Sequence, residues 1–439
     1  MNQEAFFALA DRLLERTQDD ELLFANLDVE DSDFVRLNQN HVRQAGSVRS
    51  AGLGLTLIDG SKQVEGGCEL TGSADADLAL ALSLLERLRE RLPHVPDDPY
   101  LHFSDTPMQS SRAIAADLPD AAEAIATLTD QAVGLDLVGI WASGLIGDGL
   151  ASSIGHRYWH QSESFNLDWS CYLDRDKAVK DAYSGFAWDP LQLAQRINRQ
   201  RERLQIMARP QRRIEPGCYR AFLAPAAMQE LMDMLAWGGF GLRDHRTRQT
   251  PLLALANGDV ALHPRLNMTE ANERGLAAGF TAEGFAKAER VPLINSGRFG
   301  QCLVDARSAK EYGAEVNAAA EYPEAIEVAA GDLPANDVLA RLGTGLYIGN
   351  LWYCNWSDRN SCRVTGMTRF GTFWVEDGQI AAPLAVMRFD DSLYRLLGDR
   401  LEALTRERDL LLSAETYDGR SSDSALLPGA LVSGIDLTL

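Results

Sequence analysis

The sequence predicts an α+β fold in two parts. Residues 1–209 are expected to form an N-terminal domain that mixes helices with antiparallel strands, and residues 210–439 a β-rich C-terminal domain with mainly antiparallel sheets. Three observations support this prediction. Helical and strand-like periodicities alternate in the first half, a proline- and arginine-rich segment interrupts the chain near residue 212, and short strands separated by Gly, Asn and Asp turns dominate the remainder.

The N-terminal elements follow from spacing. Residues 2–17 place apolar side chains at helical intervals, and the strand-like runs after them turn at Asp59-Gly60, where glycine supplies a positive φ. A second helix is predicted over residues 75–92, ended by Pro93, and a third over residues 118–133. The apolar run "LDLVGIWAS" then indicates a strand.

Two histidines four residues apart, His156 and His160 in "HRYWH", have the spacing that a helix uses to bind one zinc ion. From Glu163 onward, however, apolar and polar residues alternate with period two, which predicts a strand. Residues four apart in a strand lie about 13 Å apart and cannot share one ion. Arg157 also stands where the zincin pattern has Glu. We therefore predict surface histidines on a half-exposed sheet.

The second half begins with a predicted linker. A helix is expected from Pro190 to about Ala208, because proline is favoured in a first turn. The segment "RPQRRIEPG" follows as the linker, then a strand in "CYRAFLAP" and a helix in "AAMQELMDMLAW". Residues 345–389 predict a strand pair, with an Asp-Gly hairpin at Asp377-Gly378.

Composition and charge exclude several function classes. Apolar residues make up 46% and charged residues 24% of the chain, which is typical of a soluble globular protein. The net charge of −21, from 63 acidic and 42 basic residues, would repel a phosphate backbone, so we expect no nucleic-acid partner. No run approaches the roughly 20 apolar residues that cross a bilayer, so we expect no membrane partner. The opening residues lack the features of a signal peptide, which predicts a cytoplasmic location.

The six cysteines include no C-x-x-C pair, so buried or idle thiols are expected rather than a zinc knuckle. Cys354 and Cys362 are the nearest pair. An enzyme that uses one of them as a nucleophile with a histidine is the weakest functional alternative, because nothing in the sequence places a histidine beside either.

A family resemblance rests on an ordered series of motifs. Gly366-Met367-Thr368-Arg369 is followed by Gly371-Thr372-Phe373, Asp377-Gly378 and Arg388-Phe389. In this order they resemble the C-terminal region of the TldD/PmbA family, peptidase relatives also known as modulators of DNA gyrase. The runs "FVRLNQNHVRQAGSVRSAGLGLTLIDG" and "FTAEGFAKAERVPLINSGRFGQCLVDARSAKEYG" extend the resemblance to nearly the whole chain.

The resemblance implies a zinc motif that this chain lacks. Members of the TldD branch are zinc peptidases with a His-Glu-x-x-x-His helix and a C-terminal cysteine ligand. Counting from Leu223-Ala224-Pro225, the corresponding positions are Asp233, Met234 and Gly238. Arg420, Ser421 and Ser422 stand where the cysteine is expected. We therefore expect no metal, no cofactor and no catalytic residue in this chain, and zinc only in a TldD-like partner.

The departure matches the PmbA (TldE) branch of the family. It implies a non-catalytic subunit that pairs with a TldD-like zinc peptidase as a heterodimer and handles unfolded or small peptides. The alternative is a stand-alone homodimeric peptide-binding or scaffold protein without enzyme activity. The candidate peptide-channel residues are Asp358, Arg359, Asn360 and Arg369; a buried ion-pair network or a turn is the other interpretation of the same residues.

Overall fold

The computed structural model describes residues 1–18, 20–174, 177–416 and 419–439, which form two large sheets with helices around them. The α-helices are α1 Gln3–Leu14, α2 Ala74–Arg91, α3 Ala121–Gln131, α4 Pro190–Met207, α5 Pro225–Gly239, α6 Leu242–Arg246, α7 Leu253–Ala256, α8 Ala306–Tyr312, α9 Val338–Leu342 and α10 Leu393–Leu396. Short 3₁₀ turns lie at Leu92–His94 and Ala335–Asp337.

The first sheet belongs to the N-terminal half and has the order β3-β2-β1-β5-β6-β4, with β7 also paired to β6. Its strands are β1 Leu22–Asn38, β2 His41–Asp59, β3 Lys62–Glu69, β4 Gln109–Ile114, β5 Asp136–Ser152, β6 Arg157–Asp174 and β7 Lys177–Gly185. All pairs are antiparallel except β4 with β6.

The two faces of this sheet have different neighbours. Side chains of one face, such as Leu27, Leu53 and Trp159, pack against α1 and α2, while Trp141 and Trp169 pack with α3 and α4. The other face, reached by every second residue, lies against the C-terminal half. Its contacts include the stacked rings of Tyr158 and Phe280, 4.7 Å apart. Polar residues in the middle of this face therefore line the boundary between the two halves.

The second sheet is built around its last strand, β20. β20 pairs antiparallel with β8, β18 and β19 and parallel with β12, and α5 packs against it. The strands are β8 Gly217–Leu223, β9 Met268–Glu270, β10 Val291–Asn295, β11 Arg298–Phe299, β12 Ala325–Val328, β13 Gly345–Ile348, β14 Trp352–Asp358, β15 Arg363–Met367, β16 Thr372–Glu376, β17 Gln379–Pro383, β18 Arg388–Ser392, β19 Leu401–Leu412 and β20 Ser424–Leu437.

The predicted α+β class with mainly antiparallel sheets is confirmed. The helix expected over residues 118–133 is shorter, and the strand expected at "LDLVGIWAS" extends to Ser152 as β5. The Asp-Gly hairpin is confirmed, with φ of 49° at Asp377 and 74° at Gly378. The last strand of the first sheet ends at Gly185 and the second sheet begins at Gly217, with α4 between them. The boundary at residues 209/210 lies within this interval and stays a prediction.

The prediction for "HRYWH" is half right. The segment does enter a strand, β6, but both histidines are buried, with His156 0% and His160 1% exposed. The imidazole nitrogens of His156 lie 2.7 Å from the Ser152 hydroxyl and 3.0 Å from the Thr106 carbonyl oxygen. Alternation in sequence suggested a half-exposed sheet, whereas the C-terminal half covers this face.

In the described part of the chain, no helix is long and apolar enough to span a bilayer.

Candidate functional site

Helix α5 holds the three positions at which the resemblance places zinc-motif residues. Its buried side, which includes Met228, Leu231 and Leu235, packs into the largest core of the C-terminal half. Asp233 lies on the opposite side and retains access to solvent. The helical conformation ends at Trp237, with ψ of 83°, and Gly238 is left-handed, with φ of 75°. The helix therefore does not extend to the third position.

The side chains at these positions do not fit a zinc ion. Met234 is 5% exposed and belongs to the hydrophobic core. A Cβ atom at Gly238 would overlap Nη2 of Arg359 and lie 2.7 Å from Oδ2 of Asp244. Asp233 alone offers an oxygen ligand, whereas a zinc site needs three or four convergent N, S or O ligands. No cluster of His, Cys, Asp and Glu among the described residues is arranged to hold a metal ion.

Arg359 fills the space beside Gly238. Its Nε donates to the Gln249 carbonyl oxygen at 3.0 Å. Its guanidinium carbon lies 6.0 Å from the Trp237 ring centroid and 5.8 Å from that of Trp356, which is within the range of cation–π attraction. The fold thus brings one candidate channel residue directly to the altered motif.

The other candidate channel residues lie further from the motif. Asp358 accepts hydrogen bonds from the hydroxyl and backbone N–H of Ser361 and from the backbone N–H of Asn360, so this part is a turn between β14 and β15. These hydrogen bonds, led by the Ser361 hydroxyl, lower the pKa of Asp358. Arg369 stacks on Trp352 at 5.0 Å and on Phe370 at 4.6 Å. A peptide channel at these residues stays a prediction.

Carboxyl groups surround Asp233 without a matching cation. Desolvation, followed by the charges of Glu230 and Asp423, raises the pKa of Asp233 to about 7. Desolvation also raises the pKa of Glu230 and, with the nearby charges of Asp233 and Asp423, that of Tyr322 to about 12. Among the described residues, Asp233 forms no salt bridge. Asp233 is exposed, and the desolvation that raises its pKa comes from the protein atoms near its carboxyl.

Exposed aromatic side chains lie on α5, on β14 and beside Asp233. Trp237 is 52% and Trp352 44% exposed, and Tyr353, with φ of 57°, is 76% exposed. The rings of Trp352 and Tyr353 lie 5.4 Å apart. Tyr322, whose pKa responds to the charge of Asp233, is 40% exposed. Large aromatic residues grouped in this way are typical of binding surfaces.

The segment between β19 and β20 carries the position at which the resemblance expects a cysteine. Arg420 instead reaches the first sheet, where its guanidinium donates to Ser164 Oγ at 2.6 Å and to the Gly144 carbonyl oxygen at 3.1 Å. Its backbone N–H donates to Glu30. Desolvation lowers the pKa of Arg420 to about 10, which leaves it charged at neutral pH. Arg420 therefore links the two halves, and this position contributes no thiolate.

The cysteines offer no reactive nucleophile. Burial raises the pKa of Cys354 and of Cys362 to about 12. A thiol attacks as the thiolate, and both groups remain protonated at neutral pH. The structure gives no support to a cysteine mechanism.

Because the pKa of Asp233 is raised, replacing it with a neutral residue is expected to increase stability, and the size of the increase depends on pH. Its folded-state pKa of about 7 exceeds the ordinary 3.8, so ionisation costs stability as pH rises from about 4 through 7. We expect Asp233→Asn to raise the free energy of unfolding at pH 8 by about 1 kcal/mol, discounted for solvent screening. The gain should vanish near pH 4. Urea unfolding of the wild-type chain and of Asp233→Asn at both pH values measures this difference. Equal stabilities of the two proteins at pH 8 would contradict the prediction.

Asp358→Asn is the matched control. Because hydrogen bonds lower the pKa of Asp358, its ionised form is favoured in the folded protein. This substitution is therefore expected to decrease stability at pH 8, opposite to Asp233→Asn.

Comparison with known proteins places the chain in a family. Residues 216–438 match the family model of the PmbA/TldA metallopeptidase C-terminal domain. No curated protein matches the sequence.

Solved structures share the whole fold. A Thermotoga maritima protein described as a candidate modulator of a DNA gyrase is 14% identical with a TM-score of 0.75, covering 99% of this chain and 100% of that one. TldE from Thermococcus kodakarensis is 12% identical with a TM-score of 0.75, at 99% and 100% coverage. A Bacteroides thetaiotaomicron protein, also described as a candidate modulator of DNA gyrase, is 15% identical with a TM-score of 0.73, at 100% and 98% coverage.

The match over the C-terminal half, with a fold shared along the full length, shows that the chain belongs to the PmbA/TldD family.

Proposed function

We propose that this protein is a PmbA/TldE-like non-catalytic subunit that binds unfolded or small peptides in a heterodimer with a TldD-like zinc peptidase. The observation that carries the proposal is the filled position beside Gly238. Arg359 occupies the space that a ligand side chain would need, and the kink at Trp237 removes the helical turn that would direct it. With Met234 in the core, this chain cannot assemble the metal site through which the family's peptidases would act.

The surface beside α5 provides the means to hold a peptide. β14 pairs only with β15 among the described strands, so its other edge offers backbone donors and acceptors. An extended peptide can add to such an edge through main-chain hydrogen bonds, while Trp352 and Tyr353 supply apolar contact area. Folded proteins have already paired their own backbone groups, so this mode favours unfolded chains.

The division of labour follows from these features. The TldD-like partner would supply zinc and the activated water, and this chain would supply dimer surface, chamber wall and peptide contacts. The proposed setting is the cytoplasm. Neither nucleic acid nor a membrane is proposed as a partner, because the net charge of −21 opposes binding to phosphates.

Co-expression with a paralogue that carries His-Glu-x-x-x-His tests the proposal. We expect the two chains to co-elute in size-exclusion chromatography, with one zinc per heterodimer and chelator-sensitive cleavage of unstructured peptides. The purified chain alone should contain no stoichiometric zinc and cleave nothing.

Two outcomes would overturn it. Stoichiometric zinc and chelator-sensitive cleavage by the chain alone would show that it has its own active site. A stable homodimer that binds peptides and ignores the paralogue would favour the scaffold alternative. The paralogue expressed alone is the control for its own activity.

A further inference from the structure

A row of titratable side chains crosses the face of the first sheet that lies against the C-terminal half. Asp28 on β1 lies directly opposite Asp148 on β5, which lies directly opposite His160 on β6. Residues opposite one another share a face, and neighbouring strands lie about 4.8 Å apart. The three side chains therefore project side by side into the boundary between the halves.

The row is open at Asp28 and closed at His160. Asp28 is exposed and Asp148 partly exposed, whereas His160 is 1% exposed. A Cβ atom at Gly52, the neighbour of Asp28 on β2, would lie 2.5 Å from Oδ1 of Asp28. The Asp28 carboxyl thus lies over Gly52, in space that any other residue would fill. The Asp28 end of the row is therefore accessible to solvent.

His160, at the buried end of the row, has an unsatisfied acceptor. Its Nε2 donates to the Leu276 carbonyl oxygen at 2.8 Å, which leaves Nδ1 with a free lone pair. Nδ1 is buried and has no hydrogen-bond partner among the described residues, and neither has Oγ of Ser162, two residues further along the same face. Buried polar atoms normally have partners. Burial also lowers the pKa of His160, which keeps the imidazole a neutral acceptor.

The charged groups that face the row do not neutralise it. Arg112, the neighbour of His160 on β4, donates to the carbonyl oxygens of Asn272 and Glu273. Lys287 is paired with Glu324. Desolvation, with the charges of Asp28 and Glu324, raises the pKa of Asp148 to about 6. The Lys287 ammonium acts on both Asp148 and His160 but is paired with Glu324, so among the described residues the row has more acceptors than this one cation satisfies.

We propose that Asp28, Asp148 and His160 form a binding site for a primary ammonium group, that of a lysine side chain in a bound peptide. An ammonium has three donors and one positive charge. The row offers two carboxylates and one neutral nitrogen acceptor, and a buried or half-buried charge is stable only when it is paired and hydrogen-bonded.

The charges of the row and of Asp233 are linked through two intervening carboxyl groups. Glu324 influences both Asp148 and Asp423, and Asp423 influences Asp233. A peptide lying along this line of carboxyl groups would place a lysine in the row and its neighbours beside the aromatic residues. The inference rests on the proposed peptide-binding function and specifies which peptides are preferred.

A pair of fluorescent ten-residue unstructured peptides tests the site. The two peptides are identical except that the single central lysine of one is Nε-acetyllysine in the other, which removes the charge. Fluorescence anisotropy with the full chain is expected to show at least tenfold weaker binding of the acetylated peptide. Asp148→Asn should reduce this ratio to about twofold.

Asp31→Asn is the matched control, since Asp31 is also on β1, is exposed on the opposite face and pairs with Arg49. It removes the same charge and should retain the tenfold ratio. If Asp148→Asn fails to fold, as monitored by thermal unfolding, Asp28→Asn at the open end replaces it.

The outcomes separate the two proposals. Equal binding of both peptides to the wild-type chain overturns the ammonium site and leaves peptide binding standing. The ammonium site is also overturned if Asp148→Asn and Asp31→Asn reduce the ratio of the two peptide affinities equally, because net charge alone would then explain the preference. Absence of binding by either peptide overturns both the site and the proposed peptide-binding function.

Discussion

Replacing Gly238 with alanine is expected to lower the free energy of unfolding by about 2 kcal/mol. Roughly 1 kcal/mol of this arises because φ of 75° is unfavourable for a residue with a Cβ atom. The remainder comes from overlap with the Arg359 guanidinium, which would have to leave the Trp237 and Trp356 rings. Urea unfolding followed by tryptophan fluorescence measures both the loss and the changed ring environment.

Gly258→Ala separates the two causes. Gly258 has φ of 80°, and a Cβ atom there would meet nothing within 4 Å. The Gly258→Ala variant should be destabilised only by the unfavourable positive φ, by about 1 kcal/mol. Equal losses for Gly238→Ala and Gly258→Ala would show that Arg359 does not obstruct the position.

The same obstruction applies to rebuilding the motif. The triple variant Asp233→His, Met234→Glu, Gly238→His is expected to gain no zinc-dependent peptidase activity. The side chains introduced at Met234 and Gly238 would lie in the core and against Arg359, and Arg420, Ser421 and Ser422 supply no thiolate. Robust chelator-sensitive cleavage by this variant would contradict our account of the site.

Replacing Arg420 with methionine is expected to lower the free energy of unfolding by about 3 kcal/mol and to free the segment between β19 and β20. Methionine keeps apolar bulk but loses the charged donors to Ser164, Gly144 and Ser32. Hydrogen bonds that involve a charged group contribute about 1.5–3 kcal/mol each to stability, and the cost of burying the guanidinium, which the variant no longer has, offsets part of their sum. Urea unfolding measures the change in the free energy of unfolding. The rate of limited proteolysis between residues 413 and 423 measures how far the segment is loosened.

Arg406→Met is the control. Arg406 lies on β19, which leads into the same segment, and its side chain is exposed. Its replacement should change stability by less than about 0.5 kcal/mol and leave the proteolysis rate unchanged. If Arg420→Met behaves like Arg406→Met, the arginine does not fasten the two halves.

Local patterns in the sequence predicted the elements whose structure depends on neighbouring residues. The opening helix, the turn at Gly60 and the Asp-Gly hairpin each follow from side-chain spacing or from a residue that tolerates positive φ. The altered motif at Asp233, Met234 and Gly238 comes from the family resemblance and stays a prediction.

Features that depend on distant segments were not predictable. Alternation along β6 shows that every second residue shares a face, but it cannot show that the C-terminal half covers His160. Arg359 is far from Gly238 in the chain, and only packing of β14 on α5 brings them together. The kink at Trp237 lies in a segment whose composition favours a continuous helix, and tertiary contacts override that preference.

The central position of β20 has a consequence for the order in which the protein folds during translation. Every strand of the first sheet has been synthesised once Gly185 leaves the ribosome, so this sheet can close early. In the second sheet, β8 and β12 must wait for β20, whose residues 424–437 emerge after all of its partners. Until then their unpaired edges and the apolar side of α5 are exposed. The nascent chain therefore passes through a stage in which the first sheet has formed and the second has not. At this stage the exposed strand edges and apolar surface are most prone to aggregation, and binding by molecular chaperones matters most.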